Sequence, residues 1–215
     1  MKDSYLTLFS YGEDEIIINK SRFIGYALPI NSEEEGLEFI EKIKTKHRDA
    51  THNVYAYVFG ENSNIQRFSD DGEPQGTAGI PVLEVIKKED LRNVVVVVTR
   101  YFGGVKLGGG GLIRAYTKGA KIGLDAGIIV ENVLHTRLKV EIDYTLHGKV
   151  ENFLMNNKII VDEVLYTEGV TFYLYIKNSE MEAFRESITN TTNGNLITED
   201  LESIYIPLKD GKRVV

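Results

Sequence analysis

The residues best suited to chemistry lie in Arg100-Tyr-Phe-Gly-Gly-Val-Lys-Leu-Gly-Gly-Gly-Gly-Leu-Ile-Arg114. Six glycines fall within the nine positions 103–111, between an apolar strand and a helix-like stretch. Glycine costs backbone entropy, so such a run needs a physical reason. Two reasons fit: tight packing of the turn, or approach of a ligand to bare backbone. A turn that feeds a helix offers unpaired N–H groups and the positive end of the helix dipole, which suits an anion such as phosphate. Gly103, Gly104, Gly108, Gly109 and Gly110 would supply that backbone, and Arg100, Lys106 and Arg114 would add positive charge. The run is not a Walker loop, because no Gly-Lys-Ser/Thr is present. Nor does its spacing give a clean dinucleotide fingerprint, with no acidic residue about 20 positions on at the end of a second parallel strand.

A second cluster is Ser69-Asp70-Asp71-Gly72-Glu73-Pro74-Gln75-Gly76-Thr77-Ala78-Gly79. Asp70, Asp71 and Glu73 can hold a divalent cation through oxygen. The segment lacks the twelve-residue calcium-loop pattern, and Asp-Asp-Gly-Glu-Pro also makes an ordinary polar turn. Thr77 can cap the helix that follows and add N–H donors. No metal site is assigned, and no cofactor is implied. His52, just ahead of a buried strand, suits a general base or a phosphate partner. His47, His135 and His147 sit at element ends and read as incidental. Tyr55, Tyr57, Tyr101 and Phe102 read as core rather than as a base-stacking platform. There is no Gly-x-Ser-x-Gly elbow and no His-Glu-x-x-His, so serine hydrolase and zinc protease chemistry have no support. Whether any reaction is catalysed is left open, and the leading expectation is a non-enzymatic role.

The 215-residue chain has a net charge of -7, so it is not a polycation built for nucleic acid, and any RNA site must be a local basic patch. With no cysteine there are no disulfides, thiolate metal sites or cysteine nucleophiles. No stretch approaches the roughly 20 apolar residues of a membrane helix, and no apolar leader follows Met1-Lys2-Asp3-Ser4. A cytoplasmic protein with no membrane partner is therefore expected; the sequence leaves the oligomeric state open.

Hydropathy patterning supplies the elements that must position these residues. Short strands are predicted over 5–9, 15–19 and 22–30. A helix follows, opened by a Ser32/Glu35 capping box, with Leu37, Ile40 and Ile43 on one face. Residues 53–59 carry apolar or aromatic residues on both faces, as a strand covered on both sides does, and 65–68 can pair with it. A helix is predicted over 77–88, with Pro81 tolerated near its first turn, then a central buried strand over 93–102, the glycine turn, and a helix from about 111 to 126. The pattern restarts after 128–133. Leu138, Val140 and Ile142 alternate with Arg137, Lys139 and Glu141 over 136–142. A helix over 144–156, a hairpin around Glu168-Gly169, a helix opened by a Ser179/Glu182 capping box and a strand over 201–208 complete a βαββαβ order. That order is the split-βαβ, ferredoxin-like pattern. The fold class is α+β, with domains 1–131 and 132–215. Neither half is a basic module: residues 1–131 hold 16 basic and 19 acidic residues, 132–215 hold 9 and 13.

Four motifs in order across residues 21–114 carry a family resemblance. They are Ser21-Arg-Phe-Ile-Gly25, Ala50-Thr-His-Asn-Val-Tyr-Ala-Tyr57, Ser69-Asp-Asp-Gly-Glu-Pro-x-Gly-Thr-Ala-Gly-x-Pro81 and Arg100-Tyr-Phe-Gly-Gly-x-Lys-Leu-Gly-x-Gly-Gly-Leu-x-Arg114. Together they resemble the IMPACT (YigZ-like) family in its bacterial two-domain branch. The resemblance implies a ribosomal-protein-like βαβ fold for the first domain, as in domain four of elongation factor G, and a second domain like that factor's domain five. It implies a role in translation regulation, since eukaryotic relatives are translation regulators. Those relatives bind their partner through a different domain, so that partner role does not carry over.

Three functions follow as expectations. The first is a non-enzymatic regulator that binds RNA or the ribosome at the glycine turn. The second is an enzyme or sensor that takes a phosphate-containing ligand there, with His52, Asp70, Asp71, Glu73 and Thr77 as neighbours. The third is a protein-interaction module using the open sheet face of residues 134–208.

Overall fold

The computed structural model describes residues 2–214. The architecture is mixed α+β, with two sheets and five α-helices. In chain order the elements are β1 (Ser4–Leu8), β2 (Gly12–Ile18), β3 (Ser21–Pro29), α1 (Glu33–Lys46), β4 (His52–Phe59), β5 (Ile65–Ser69), α2 (Gly79–Lys88), β6 (Val94–Tyr101) and α3 (Gly109–Ala126). There follow β7 (Ile129–Ile142), α4 (His147–Asn156), β8 (Ile160–Tyr166), β9 (Val170–Lys177), α5 (Met181–Thr192), β10 (Ile197–Lys209) and β11 (Lys212–Arg213). Contacts divide the chain into two compact units. One is Tyr5–Glu131 joined by the last residues from Pro207; the other is Asn132–Ile206 joined by Lys2–Ser4.

The first unit is built on the valine run. Val94–Val98 are fully buried, as expected of a strand covered on both faces. Its sheet runs β2-β3-β6-β4-β5 with β6 central, and every neighbouring pair is antiparallel. Val95 and Val97 face α1 through Phe39, Ile40 and Ile43. Val94, Val96 and Val98 face α2 and α3 through Val82, Ile86, Leu112 and Tyr116. Strand alternation then places the next two residues of β6. Arg100 continues the Val94-Val96-Val98 face towards α3, and Tyr101 continues the opposite face towards α1.

The helix α3 packs against bare backbone. A Cβ on Gly25 would stand 1.9 Å from the Gly119 carbonyl oxygen, and one on Gly12 would stand 2.2 Å from that of Gly123. Here glycine is needed for close approach of helix to strand, and α3 is thereby held with its N-terminus beside the end of β6.

Several helix starts differ from the sequence expectation. Ser32 Oγ does accept from the Glu35 N–H at 3.1 Å, but Glu35 Oε2 accepts from the Asn31 N–H at 2.7 Å rather than from Ser32. The reciprocal half of that box is thus displaced by one residue. The Ser179/Glu182 box does not form. A 3-10 turn over Asn178–Glu180 precedes α5, which begins at Met181 with no side-chain cap. Ser179 lies inside that turn, where it cannot serve as a cap. Likewise Thr77 does not cap α2, which begins at Gly79. Its hydroxyl and its N–H both donate to the Pro74 carbonyl. Asp70 takes over the role, with Oδ1 accepting from the N–H groups of Ala78 (3.1 Å) and Gly79 (2.8 Å) and Oδ2 from Gly76 (2.8 Å).

In the second unit the elements follow one another as β7, α4, β8, β9, α5, β10, and the strands lie in the order β10-β7-β9-β8. Leu138, Val140 and Ile142 pack with Phe172, Leu174, Val150, Leu154, Phe184 and Ile188. Arg137 and Lys139 stand outside that core and pair with Asp162 and Glu141. Two strands begin earlier than their hydropathy suggests, β7 at Ile129 and β10 at Ile197. The early residues of β10 are exposed or partly buried, and in β7 the buried Val130, Leu134 and His135 do not keep to one alternating row, so the pattern that marks a strand is weak in both.

Candidate functional site

Where β6 ends and α3 begins, the first unit holds a cleft of about 380 Å³. Thr51, His52, Glu73, Arg100, Phe102 and Lys106 line it, with Gly108 and Gly109 at the mouth of the helix. Strand register explains the first members. Phe23, Arg100 and His52 face one another across β3, β6 and β4, so their side chains share the face that looks towards α3.

The wall of the cleft is a buried ionic cluster. Arg100 Nη1 donates to Glu73 Oε1 at 2.5 Å, and the side chains are only 6% and 4% exposed. The Tyr116 hydroxyl, on α3, donates to the same oxygen at 2.7 Å. Burial pushes the Tyr116 phenol well above its ordinary range, and the bond to Glu73 raises it further, so it stays a donor. The guanidinium lies between two rings, 5.5 Å from the centre of Phe23 and 5.3 Å from that of Phe102. Its Nε has no hydrogen-bond partner. His52 Nδ1 meets the Asp71 carbonyl at 2.7 Å. A carbonyl only accepts, so Nδ1 carries a proton, and the neutral tautomer with that proton has Nε2 as its acceptor. Nε2 lies 3.7 Å from Glu73 Oε2, too far for a hydrogen bond between them.

The glycines of the turn separate by role. Gly103 is a packing residue, since a Cβ there would stand 1.9 Å from the Lys20 carbonyl oxygen. Gly104 (φ +84°) and Gly108 (φ +68°) adopt the left-handed backbone that glycine favours. Gly109 and Gly110 need neither explanation. Their φ is ordinary, they are exposed, and an added Cβ would meet nothing closer than Thr77 Cγ2 at 3.9 Å and Arg114 Nη1 at 3.7 Å. The helix they open has no side-chain cap. Its first N–H groups therefore lack the capping partner that most helix starts supply.

The candidate residues named from the sequence divide accordingly. His52, Glu73, Arg100, Lys106, Gly108 and Gly109 meet at the cleft. Arg114 faces a second, smaller cleft of about 180 Å³ with Asn19 and Lys118. Asp70 is occupied as the cap of α2, and Asp71 Oδ2 accepts from the Asn53 N–H at 2.6 Å. The three carboxylates of the turn are thus spent on separate tasks. Among the described residues no group of three or more His, Asp or Glu is placed to hold a metal ion. Two cleft residues escaped sequence reasoning. Phe102, read as core, is 46% exposed, and Tyr116 gives no sequence signal beyond its place on the apolar stripe of α3. His47, read as incidental, is buried and bonded to the hydroxyls of Tyr26 (2.6 Å) and Tyr101 (2.8 Å).

Comparison with known proteins places this cleft in a family context. The Impact N-terminal domain matches residues 19–124, which contain the whole cleft. A domain of unknown function matches residues 140–195. The IMPACT family member YvyE of Bacillus subtilis is 48% identical over 96% of this chain and 95% of its own length. The chain belongs to the IMPACT family. Within that family, YigZ of Escherichia coli is 31% identical over 83% of this chain and 89% of its own. An IMPACT homolog of Saccharomyces cerevisiae is 33% identical over 44% of this chain and 38% of its own. A crystal structure of a hypothetical protein aligns over 94% of this chain and 99% of its own with a TM-score of 0.59 at 28% identity. Among the described residues no helix of this IMPACT family member is long and apolar enough to cross a membrane.

Proposed function

We propose that this IMPACT family member is a translation-associated regulatory protein that binds RNA or the ribosome through the start of α3, acting by binding rather than by catalysis. One observation carries the reading. Gly109 and Gly110 are glycines that neither backbone conformation nor packing requires, at an uncapped helix start beside exposed Lys106. Bare N–H groups, a helix dipole and a lysine together suit a phosphate. Exposed Phe102 beside them suits stacking on an unpaired base. The strand order β10-β7-β9-β8 supports a ferredoxin-like second unit, and the first unit fits the ribosomal-protein-like fold that the family resemblance implies. A cytoplasmic location accords with both.

Filter binding of the full-length protein to ribosomes and to structured RNA across a salt series tests this. Binding weakens with salt, Lys106→Gln lowers the log–log slope by about 1, and Gly109→Ala with Gly110→Ala weakens binding without unfolding the chain. Absence of binding at the lowest salt, or indifference to all three substitutions, refutes the proposal.

A second reading is supported by the cleft itself. At about 380 Å³ it is large enough to accept a small phosphorylated molecule rather than only a passing backbone.

A further inference from the structure

The cleft offers more than a bare phosphate needs. Its lining carries donors, the N–H at Gly109 and the Lys106 ammonium, and with them two side-chain acceptors, on His52 and Glu73. In the neutral imidazole His52 Nε2 is an acceptor, because Nδ1–H faces the Asp71 carbonyl. Glu73 turns Oε1 towards Arg100 and Tyr116, leaving Oε2 as the oxygen nearest His52. These two atoms stand 3.7 Å apart, too far for a hydrogen bond between them. Two adjacent acceptors are best satisfied by two adjacent donors, and a pair of neighbouring hydroxyls provides them. A carboxylate that accepts from ribose hydroxyls is a recurrent solution in nucleotide sites. In the same lining Phe102 offers an exposed ring.

We infer that the cleft takes a 5′-phosphorylated ribonucleoside whose 2′,3′ cis-diol is free, the phosphate at the α3 start and the diol between His52 and Glu73. That chemistry occurs in a free ribonucleoside monophosphate and at the 3′-terminal nucleotide of an RNA. The inference rests on the anion-binding reading above and deepens it. His52 and Glu73 become the residues that distinguish a ribose from a deoxyribose.

Calorimetric or polarisation titration of the full-length protein separates the possibilities. The probes are inorganic phosphate, AMP, 2′,3′-dideoxy-AMP, and a short RNA with its 3′ end intact or opened by periodate. AMP is expected to bind at least ~10-fold more tightly than its dideoxy analogue, the effect of losing one well-made hydrogen bond or more. An RNA that loses affinity to the same degree after periodate identifies the RNA terminus as the ligand, whereas binding of AMP alone identifies the free nucleotide. Both results support the inference. His52→Gln should shrink the preference for the diol while leaving affinity for the dideoxy analogue within about two-fold, and the wild-type comparison decides the matter even if that variant folds poorly. Equal affinity for AMP and its dideoxy form, together with indifference of the RNA to periodate, overturns the diol site but leaves the anion site standing. Failure of every probe, phosphate included, overturns both.

Discussion

The buried Glu73–Arg100 pair lends itself to a quantitative test. Both side chains are more than nine-tenths buried, and Glu73 Oε1 receives Arg100 and Tyr116 together. Removing the carboxylate by Glu73→Ala leaves a guanidinium buried against Phe23 and Phe102 with no counter-charge. Breaking such a pair from one side costs about 3–5 kcal/mol. Arg100→Met should cost a similar amount, because it leaves the carboxylate to Tyr116 alone. Replacing both, as Glu73→Leu with Arg100→Met, removes two desolvated charges at once and should cost far less than the two single changes together, with a coupling of about 2 kcal/mol or more. Urea unfolding of the full chain, followed by far-UV circular dichroism and tyrosine fluorescence (the chain has no tryptophan), reads all three. Single costs below about 1 kcal/mol, or a double variant equal to the sum of the singles, would show that the pair is solvated and that the cleft wall is not the ionic cluster described.

Other substitutions separate the remaining roles. Asp70→Ala removes the cap of α2 and should cost about 1–2 kcal/mol in the same urea assay; no loss would mean that another group caps Ala78 and Gly79. Gly25→Ala forces a Cβ to within 1.9 Å of the Gly119 carbonyl oxygen and should cost about 3 kcal/mol or more. Gly109→Ala, by contrast, should raise stability by about 0.5 kcal/mol, since alanine is the better helix former; a thermal midpoint lower than wild type would show that the open space is not there. Burial depresses the pKa of His47, and of His135 likewise. The unfolded state therefore takes up these protons first as pH falls. The stability they contribute is complete above their ordinary value of about 6.5 and is lost as pH drops below it towards the folded value. A urea midpoint that declines between about pH 7 and 5, with a shallower decline in His47→Gln, is the expected result; a flat profile contradicts it.

The parts of the fold that were legible in the sequence are those written in local periodicity. The valine run gave a strand covered on both faces, and Leu138, Val140 and Ile142 gave a half-buried one. What escaped depended on partners distant in the chain. Asp70 caps a helix that starts nine residues later, whereas local sequence points to the nearer Thr77. Arg100 looked like an available cation because Glu73 and Tyr116, its companions, lie 27 positions before and 16 after it. Phe102 follows two alternating rows of core residues, but β6 stops at Tyr101, and a residue past the end of a strand no longer obeys the alternation that would bury it.

The glycine turn shows the same limit in finer detail. From composition alone its glycines form one class, explained either by packing or by a ligand. In three dimensions the glycines separate by position. Gly103 is demanded by the Lys20 carbonyl, and Gly104 and Gly108 by their positive φ. Gly109 and Gly110 are demanded by nothing within the chain, although alanine would favour the helix they begin. Two successive exposed positions that leave the better helix former unused, beside a lysine, are what the proposed anion site rests on. The Gly109→Ala and Gly110→Ala pair is therefore decisive: stability should rise as ligand affinity falls, and a pair of alanines that raised stability with affinity unchanged would show that these N–H groups do not meet the ligand.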